Sequence, residues 1–418
     1  MTNNSNEKEK KNAPLKFMEW GIIKKENFKT INEIPLKRWD PLSTAVITTK
    51  SFGLRKKERF SGHFSYLSPI RASRPISIDD SVEQLDCSEM LTEKLNDVFV
   101  SITEGKALFS DDGEIFRDGN TIIITEDEKR RDNPFSDEPH KIKPLSNSCK
   151  AVTLINRFPS MARVVDEEIM TSVKKQLPPN SKISIGINLI TISRHYYPAS
   201  CLRLIPEDVI AGIFSSMKAA ILYSVEEAIN RDYYDILVMP FFNIGKKVGG
   251  SQPRIHSQVY IDLNGDGHGS RLAGYLNAFK EMKTCRLCST DHEDGRLVLK
   301  SEFWTFYAAG SPLRNYHLRF YPHEHLRRFS NLKINQIFDL AKSLKLIFKA
   351  LDDLSIESNR NIIFNSCPFG YDADFHMFGD IIPHEIIGGA EMADDMRVAR
   401  KLPEDIALEI RDITQLDD

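Results

Sequence analysis

Residues 243–258 read NIGKKVGGSQPRIHSQ. Gly245, Gly249, Gly250 and Ser251 can turn tightly just before an alternating stretch, IHSQVYID at 255–262, that has the period of a β-strand. Alternation places His256 and Gln258 on one face of that strand. A glycine-rich turn brings backbone N–H groups and the Ser251 hydroxyl close to an anion such as phosphate. Gln258 is then placed to donate to a non-bridging oxygen. A neutral imidazole is a competent nucleophile toward activated phosphorus when its other ring nitrogen is held by an acceptor, which makes His256 the candidate nucleophile.

Outward from this stretch, β-rich runs alternate with single long helices. KAVTLINRF (150–158) and SKISIGINLITIS (181–193) read as strands, and Ile205 to Asn230 reads as a helix with Pro206 in its first turn. DILVMPFFNIG (235–245) is a strand before the turn. After a link at about 263–283 the order returns: RLVLKSEFWTFYA and NYHLRFYP as strands, Ile334 to Leu351 as a helix, then NIIFNS and FHMFGDIIP as strands. His195 and His325 each end a strand before a helix, while His256 and His376 each fall in the last strand, at separations of 61 and 51 residues. The recurrence predicts an internal duplication.

The chain has 418 residues, 41% of them hydrophobic, enough for two or three domain-sized units. A formal net charge of -3 removes any global argument for nucleic-acid binding. The polar start MTNNSNEKEKKN lacks the apolar stretch of a secretory signal, and no run approaches a membrane span, so no membrane partner and a cytoplasmic location are expected. Six cysteines in so long a chain are not a disulfide framework; Cys285 and Cys288 form a C-x-x-C that reads as metal-binding or redox-active. The expected organisation is a disordered tail at 1–14, an N-terminal unit at 15–262 with a charged, turn-rich insertion at about 50–147, and a C-terminal unit at 263–418.

Asn243, Gly245, Gly249, Ser251, His256 and Gln258 stand at the positions of the pattern N-x-G-x-x-x-G-x-S-x-x-H-x-H-x-Q, with Arg254 in place of its first histidine. In this the sequence resembles the galactose-1-phosphate uridylyltransferase family, a branch of the histidine-triad superfamily. The likeness runs from about Lys37 to Arg411, with RWDPL at Arg38 similar to the family's opening and NRFPSM at Asn156 similar to its segment beside the nucleoside. The resemblance implies an α+β fold of duplicated histidine-triad-like units, with mostly antiparallel sheets and helices packed on one side. It implies His256 as the nucleophile that forms a nucleotidyl-histidine and Gln258 as the residue that holds the phosphoryl oxygens. Asn156, Arg157, Phe158, Asn243, Gly249, Gly250, Ser251 and Arg254 become candidate substrate-binding residues.

In the second repeat, Cys285, Cys288, His325 and His376 supply the ligand types of tetrahedral zinc. The resemblance implies that set, with His323 a possible substitute for His325. Phe378 occupies the place of the nucleophile there, so the metal would be structural. In the first repeat, Arg254 offers no lone pair to a metal, and both a structural and a substrate-facing role are open to it.

The implied reaction is a double displacement: a nucleoside monophosphate, UMP by resemblance, passes from a nucleotide sugar to His256 and then to a sugar 1-phosphate. Inorganic phosphate as acceptor would instead make the chain a phosphorylase of ADP-sugars or diadenosine polyphosphates, and a non-catalytic binding protein of the same fold is the reading from another class. EIIGGAEM at Glu385 resembles the family's hexose-binding stretch and keeps Glu391 as a candidate substrate contact, but Glu385 replaces a phosphate-binding lysine. Relatives are commonly homodimers, so a homodimer is expected.

Overall fold

The structure, a computed structural model, describes residues 30–39, 61–76 apart from 63 and 75, residue 99, and 150–414 apart from 157, 164, 166, 291–293 and 372–373. The expected tail, nearly all of the insertion at 50–147, and Asp40 to Leu42 of the RWDPL stretch lie outside the described residues. The described chain begins with β1 (Leu36–Trp39), β2 (Ser61–Gly62) and β3 (Phe64–Leu67). The first repeat follows as β4 (Ala151–Ile155), α1 (Glu167–Lys174), β5 (Ser181–Ile183), β6 (Gly186–Ser193), α2 (Glu207–Ile229), β7 (Leu237–Ile244) and β8 (His256–Asp262). Then come β9 (His268–Gly269), α3 (Ser270–Glu281), α4 (Arg286–Ser289), β10 (Leu297–Lys300), β11 (Trp304–Ala308), β12 (Leu318–Pro322), α5 (Ile334–Asp353), β13 (Arg360–Asn365) and β14 (Phe378–Pro383). Two helices, α6 (Gly389–Asp394) and α7 (Pro403–Thr414), close the described chain.

One nine-stranded antiparallel sheet, in the order β10-β11-β12-β14-β13-β7-β8-β6-β4, runs through both repeats. Counting outward from the β7–β13 seam, β8 answers β14, β6 answers β12 and β4 answers β11, with β10 as an extra edge. The duplication expected from the sequence is therefore a pseudo-two-fold arrangement about that seam. The fold is the expected α+β one.

Alternation explains how the sheet divides its faces. Leu189, Val259, Phe242, Ile244, Ile362, Phe364 and Phe320 point to the side covered by α2 and α5 and form the main core with them. Phe214 of α2 meets Phe242 of β7 and Phe364 of β13 edge-on, both at 5.7 Å, so one ring packs against both repeats. By length and composition α2 could cross a membrane, but 67% of its apolar window is buried inside the protein, as a core helix requires.

The opposite face carries His256, Gln258, Asn243 and Asn361, and it is this face that holds the candidate site. The expected link at 263–283 contains a helix, α3, which lies on this face over the second repeat through Tyr275 and Phe378 (ring centroids 5.0 Å). The helices are thus not all on one side. Its Leu272, Tyr275, Leu276 and Phe279 make a stripe at helical spacing, and they bury against Tyr307, Tyr321 and Phe375.

A small sheet, β3-β1-β5, is pinned to the end of β8 by charge. Lys37 is 1% exposed, yet its ammonium lies 2.9 Å from Asp266 and 4.2 Å above the Phe64 ring. Lys182 meets the other oxygen of Asp266 at 2.6 Å, and the Tyr66 hydroxyl donates to Asp262. Burial of Lys37 is tolerable because its charge is paired; removing one partner would leave an uncompensated charge, at about 3–5 kcal/mol.

Candidate functional site

His256 opens β8, is 4% exposed, and places its Nδ1 2.8 Å from the Arg254 carbonyl oxygen. A carbonyl only accepts, so Nδ1 carries the proton and Nε2 the lone pair. Gln258 stands two residues on, on the same face, and is also 4% exposed. Phe241 pairs directly with Gln258, and Ile192 with His256. The ring of Phe99 packs 6.1 Å from that of His256. A residue of the expected insertion at about 50–147 thus lies beside the candidate nucleophile.

The turn ahead of β8 needs its glycines. Gly245 and Gly249 have φ of +91° and +92°, in the region that side chains other than glycine rarely adopt. A Cβ on Gly250 would lie 2.7 Å from the Gly245 carbonyl oxygen. The N–H groups of Gly249 and Gly250 donate to Lys246 and Gly245 at 3.0 Å each, closing the turn on itself. The expectation that backbone N–H groups cradle the anion is therefore corrected at these two positions. The side chains of Asn243, Ser251 (7% exposed) and Gln258 remain as the candidate anion donors.

Arg254 is 2% exposed, and its Nη2 donates to the Arg194 carbonyl at 2.6 Å. At the matching place in the second repeat, His376 Nε2 donates to the Pro322 carbonyl at 2.9 Å. Arg254 thus occupies the place of the metal-site histidine and is anchored as that histidine is, which favours the structural of its two roles. A bridge between Pro198 and Arg254 fixes the same segment.

Asn156 is buried and its Oδ1 accepts from the Phe158 N–H at 2.8 Å, an Asx turn that shapes NRFPSM. Arg157 lies outside the described residues. Sequence reasoning missed the neighbours of this segment: Asn188 Oδ1 accepts from the Ser160 and Met161 N–H groups, and Arg71 Nη1 lies 2.8 Å from Ser160 Oγ and 3.1 Å from Tyr260 Oη. Tyr260 follows Gln258 on the same face of β8, so Arg71 brings positive charge to the site. Arg71 sits in a single 3-10 turn, Pro69–Ser73, which has no periodicity to reveal it. Glu391 joins none of these residues; it pairs with Arg397 and, at 2.6 Å, with Arg314 of the second repeat. Glu385 accepts from Asn315 Nδ2 at 2.7 Å.

In the second repeat the fold brings Cys285, Cys288, His325 and His376 together, with one ligand atom of each lying within 4.8 Å of all the others. Cys285 Sγ and Cys288 Sγ are 3.4 and 3.3 Å from His376 Nδ1, and Cys288 Sγ is 3.3 Å from His325 Nδ1. The outer nitrogen of His376, Nε2, donates to the Pro322 carbonyl, as the outer nitrogens of metal-binding histidines do, whereas His325 Nε2 lies 3.1 Å from the Asp374 carboxylate without the alignment of a hydrogen bond. This donor set fits a single ion coordinated tetrahedrally. His323 faces Thr305 and the Glu302 carbonyl instead. Burial and the adjacent His325 push His376 down to about 4, and burial with Cys285 alongside pushes the Cys288 thiol up to about 11. His376 itself precedes β14 rather than lying in it, and Phe378 opens that strand as His256 opens β8.

The second repeat's counterpart of Gln258 is Asp380, and that position is filled from within. Burial alone would raise its carboxyl, but Arg319 (2.7 Å) and His317 (2.9 Å) outweigh burial and hold it well below the usual carboxylate range. The Arg319 guanidinium lies 4.5 Å above the Phe378 ring. Only the first repeat presents a histidine with a glutamine.

No family model and no curated protein matches the chain. Among solved structures, it superposes on a mutant uridylyltransferase with a TM-score of 0.55 and 18% identity, over 66% of this chain and 91% of that one. A GalT-like protein from Arabidopsis thaliana matches with a TM-score of 0.52 and 21% identity, over 64% of this chain and 85% of that one. An ADP-glucose phosphorylase from Arabidopsis thaliana, with ADP-glucose bound, matches with a TM-score of 0.52 and 18% identity, over 90% and 98% of the two chains. The chain shares its fold with these uridylyltransferase, GalT-like and ADP-glucose phosphorylase structures.

Proposed function

We propose that the chain is a nucleotidyl-transfer enzyme with His256 as its covalent nucleophile. The observation that carries this reading is the Nδ1 contact of His256 with the Arg254 carbonyl, which leaves the lone pair on Nε2, beside Gln258 on the same face. Nε2 attacks the α-phosphorus of a nucleotide sugar; a P–N bond forms, the bond to the bridging oxygen breaks, and the sugar phosphate departs. In the second half a phosphate oxygen of the acceptor attacks, the P–N bond breaks, and His256 is regenerated. Asn243, Ser251 and Gln258 donate to the non-bridging oxygens, Arg71 adds charge compensation, and Asn156 and Phe158 border the nucleoside. Phe99 keeps water from the adduct.

The favoured pair is a UDP-sugar as donor and a sugar 1-phosphate as acceptor, in the cytoplasm. A second reading, an ADP-sugar or diadenosine-polyphosphate phosphorylase, is favoured by Glu385, whose carboxylate, engaged by Asn315, stands where a sugar-phosphate-binding lysine is expected. Zinc is the ion proposed for Cys285, Cys288, His325 and His376, where it supplies cross-linking of α4 to the ends of β12 and β14 and no chemistry on the nucleotide. Isotope exchange tests the scheme: labelled glucose 1-phosphate should enter UDP-glucose with no second acceptor present, or labelled phosphate should enter ADP from ADP-glucose. Absence of exchange with every donor would favour a binding protein of the same fold.

A further inference from the structure

Asn361 of β13 stands directly opposite Asn243 of β7, across the seam between the repeats. Its Nδ2 lies 2.8 Å from Asn243 Oδ1 and 3.5 Å from both the Phe242 and Val248 carbonyl oxygens. The two backbone carbonyls can only accept, so the amide of Asn361 has one orientation, nitrogen inward. That orientation dictates the next: Asn243 Oδ1 accepts, and its Nδ2 turns toward the glycine turn, 3.3 Å from where a Cβ on Gly249 would stand. A second asparagine from the same side braces the other shoulder. Asn359, 1% exposed, accepts from the Lys247 N–H at 3.1 Å and is itself held by Glu357 at 2.9 Å, and a Cβ on Gly245 would fall 2.1 Å from its Oδ1.

Resting on the nucleotidyl-transfer reading, we infer that Asn361 is a positioning residue that holds the Asn243 amide with its NH2 toward the phosphate-bearing ligand, so that anion recognition in the first repeat depends on a strand of the second. Asn361→Asp keeps the shape but replaces the donor by an acceptor. Asn243 must then rotate and offer its oxygen to the anion, an inversion rather than a simple loss.

The test is anion binding by the full chain with asparagine side-chain amides labelled with nitrogen-15, titrated with inorganic pyrophosphate, and the Asn243 signals identified by their loss in Asn243→Ala. In the wild type the Asn243 NH2 pair shifts on titration. In Asn361→Asp that shift disappears and pyrophosphate binds at least about tenfold more weakly, the scale of one charge-assisted hydrogen bond. Asn361→Ala, which frees the amide without inverting it, falls between. Adding Asn361→Asp to Asn243→Ala weakens binding no further, whereas a merely structural role would give additive losses. An Asn243 pair that ignores pyrophosphate in the wild type, or that shifts equally in Asn361→Asp, overturns the inference. Turnover is not part of this readout, so failure of the transfer reading would show separately as a wild-type protein that binds pyrophosphate through Asn243 but exchanges no label.

Discussion

The carbonyl oxygen of Arg254 lies 2.8 Å from Nδ1 of His256, while the guanidinium of the same arginine is anchored 2.6 Å from the Arg194 carbonyl. One residue thereby fixes the tautomer of the candidate nucleophile with its backbone and fixes its own backbone with its side chain. In the second repeat the corresponding residue is His376, turned toward the Cys/His cluster. A buried cation that is part of the chain and a cluster of metal-ligand type therefore hold equivalent corners of the two repeats.

Arg254→Met tests the anchor. The backbone carbonyl survives, so the tautomer of His256 is preserved, but the Arg194 carbonyl loses its donor in a buried place, at about 1–3 kcal/mol. The expected outcome is a lowered midpoint in thermal unfolding and a transfer rate reduced roughly tenfold, since a loss of alignment of about 1.4 kcal/mol is tenfold. An unchanged midpoint would contradict a structural role for the guanidinium.

Gly249→Ala tests the turn. Its φ of +92° and the 3.3 Å approach to Asn243 Nδ2 together disfavour any Cβ. Strain of about 1–2 kcal/mol is expected, with a loss of phosphate-ligand affinity larger than the loss of stability, measured by calorimetry on the folded variant. Equal affinity in variant and wild type would remove the turn from the site.

The Cys/His cluster yields a pH prediction. With Cys288 raised to about 11 in the metal-free chain, metal uptake at neutral pH must displace its proton. Affinity for zinc therefore falls as pH falls, by roughly tenfold per unit for each proton released. His376, lowered to about 4, is neutral in the folded chain and joins the competition only near that pH. Its depressed value also means that the unfolded chain binds the extra proton first, so its contribution to the stability of the metal-free protein is full above about 6.5 and is lost as pH falls toward about 4. Competition with a chromophoric chelator between about pH 6 and 8 measures the slope; a flat profile would contradict thiolate ligation.

Phe214→Ala should destabilise both repeats together, by about 3–5 kcal/mol, because the ring packs on Phe242 and Phe364 from either side of the seam. A single cooperative transition at a lower denaturant midpoint is expected. Two separate transitions would mean that the repeats unfold independently.

Much of this was legible in the chain. Alternation in IHSQVYID and in DILVMPFFNIG predicts β8 and β7, and helical spacing predicts α2 and α5 to within a few residues. The Cys and His residues of the cluster announce themselves by type, because few other side chains bind such metals. Helix α3 was hidden by the turn-forming GDGHGS ahead of it, although Leu272, Tyr275, Leu276 and Phe279 carry the helical period. The roles of Asn361 and Arg71 could not be read, because periodicity shows that a strand or turn exists and not which strand lies beside it. The β7–β13 seam is a long-range pairing, and it is that pairing which brings Asn361 to Asn243.

Intact-mass spectrometry after incubation with UDP-glucose, UDP-galactose, ADP-glucose or diadenosine tetraphosphate, with His256→Ala alongside, tests the central claim most directly. The account predicts a gain of one nucleoside monophosphate in the wild type, labile to acid and missing in His256→Ala, with the donor that gives it naming the base. A wild-type mass unchanged by every donor, or an adduct that persists in His256→Ala, would contradict His256 as the nucleophile.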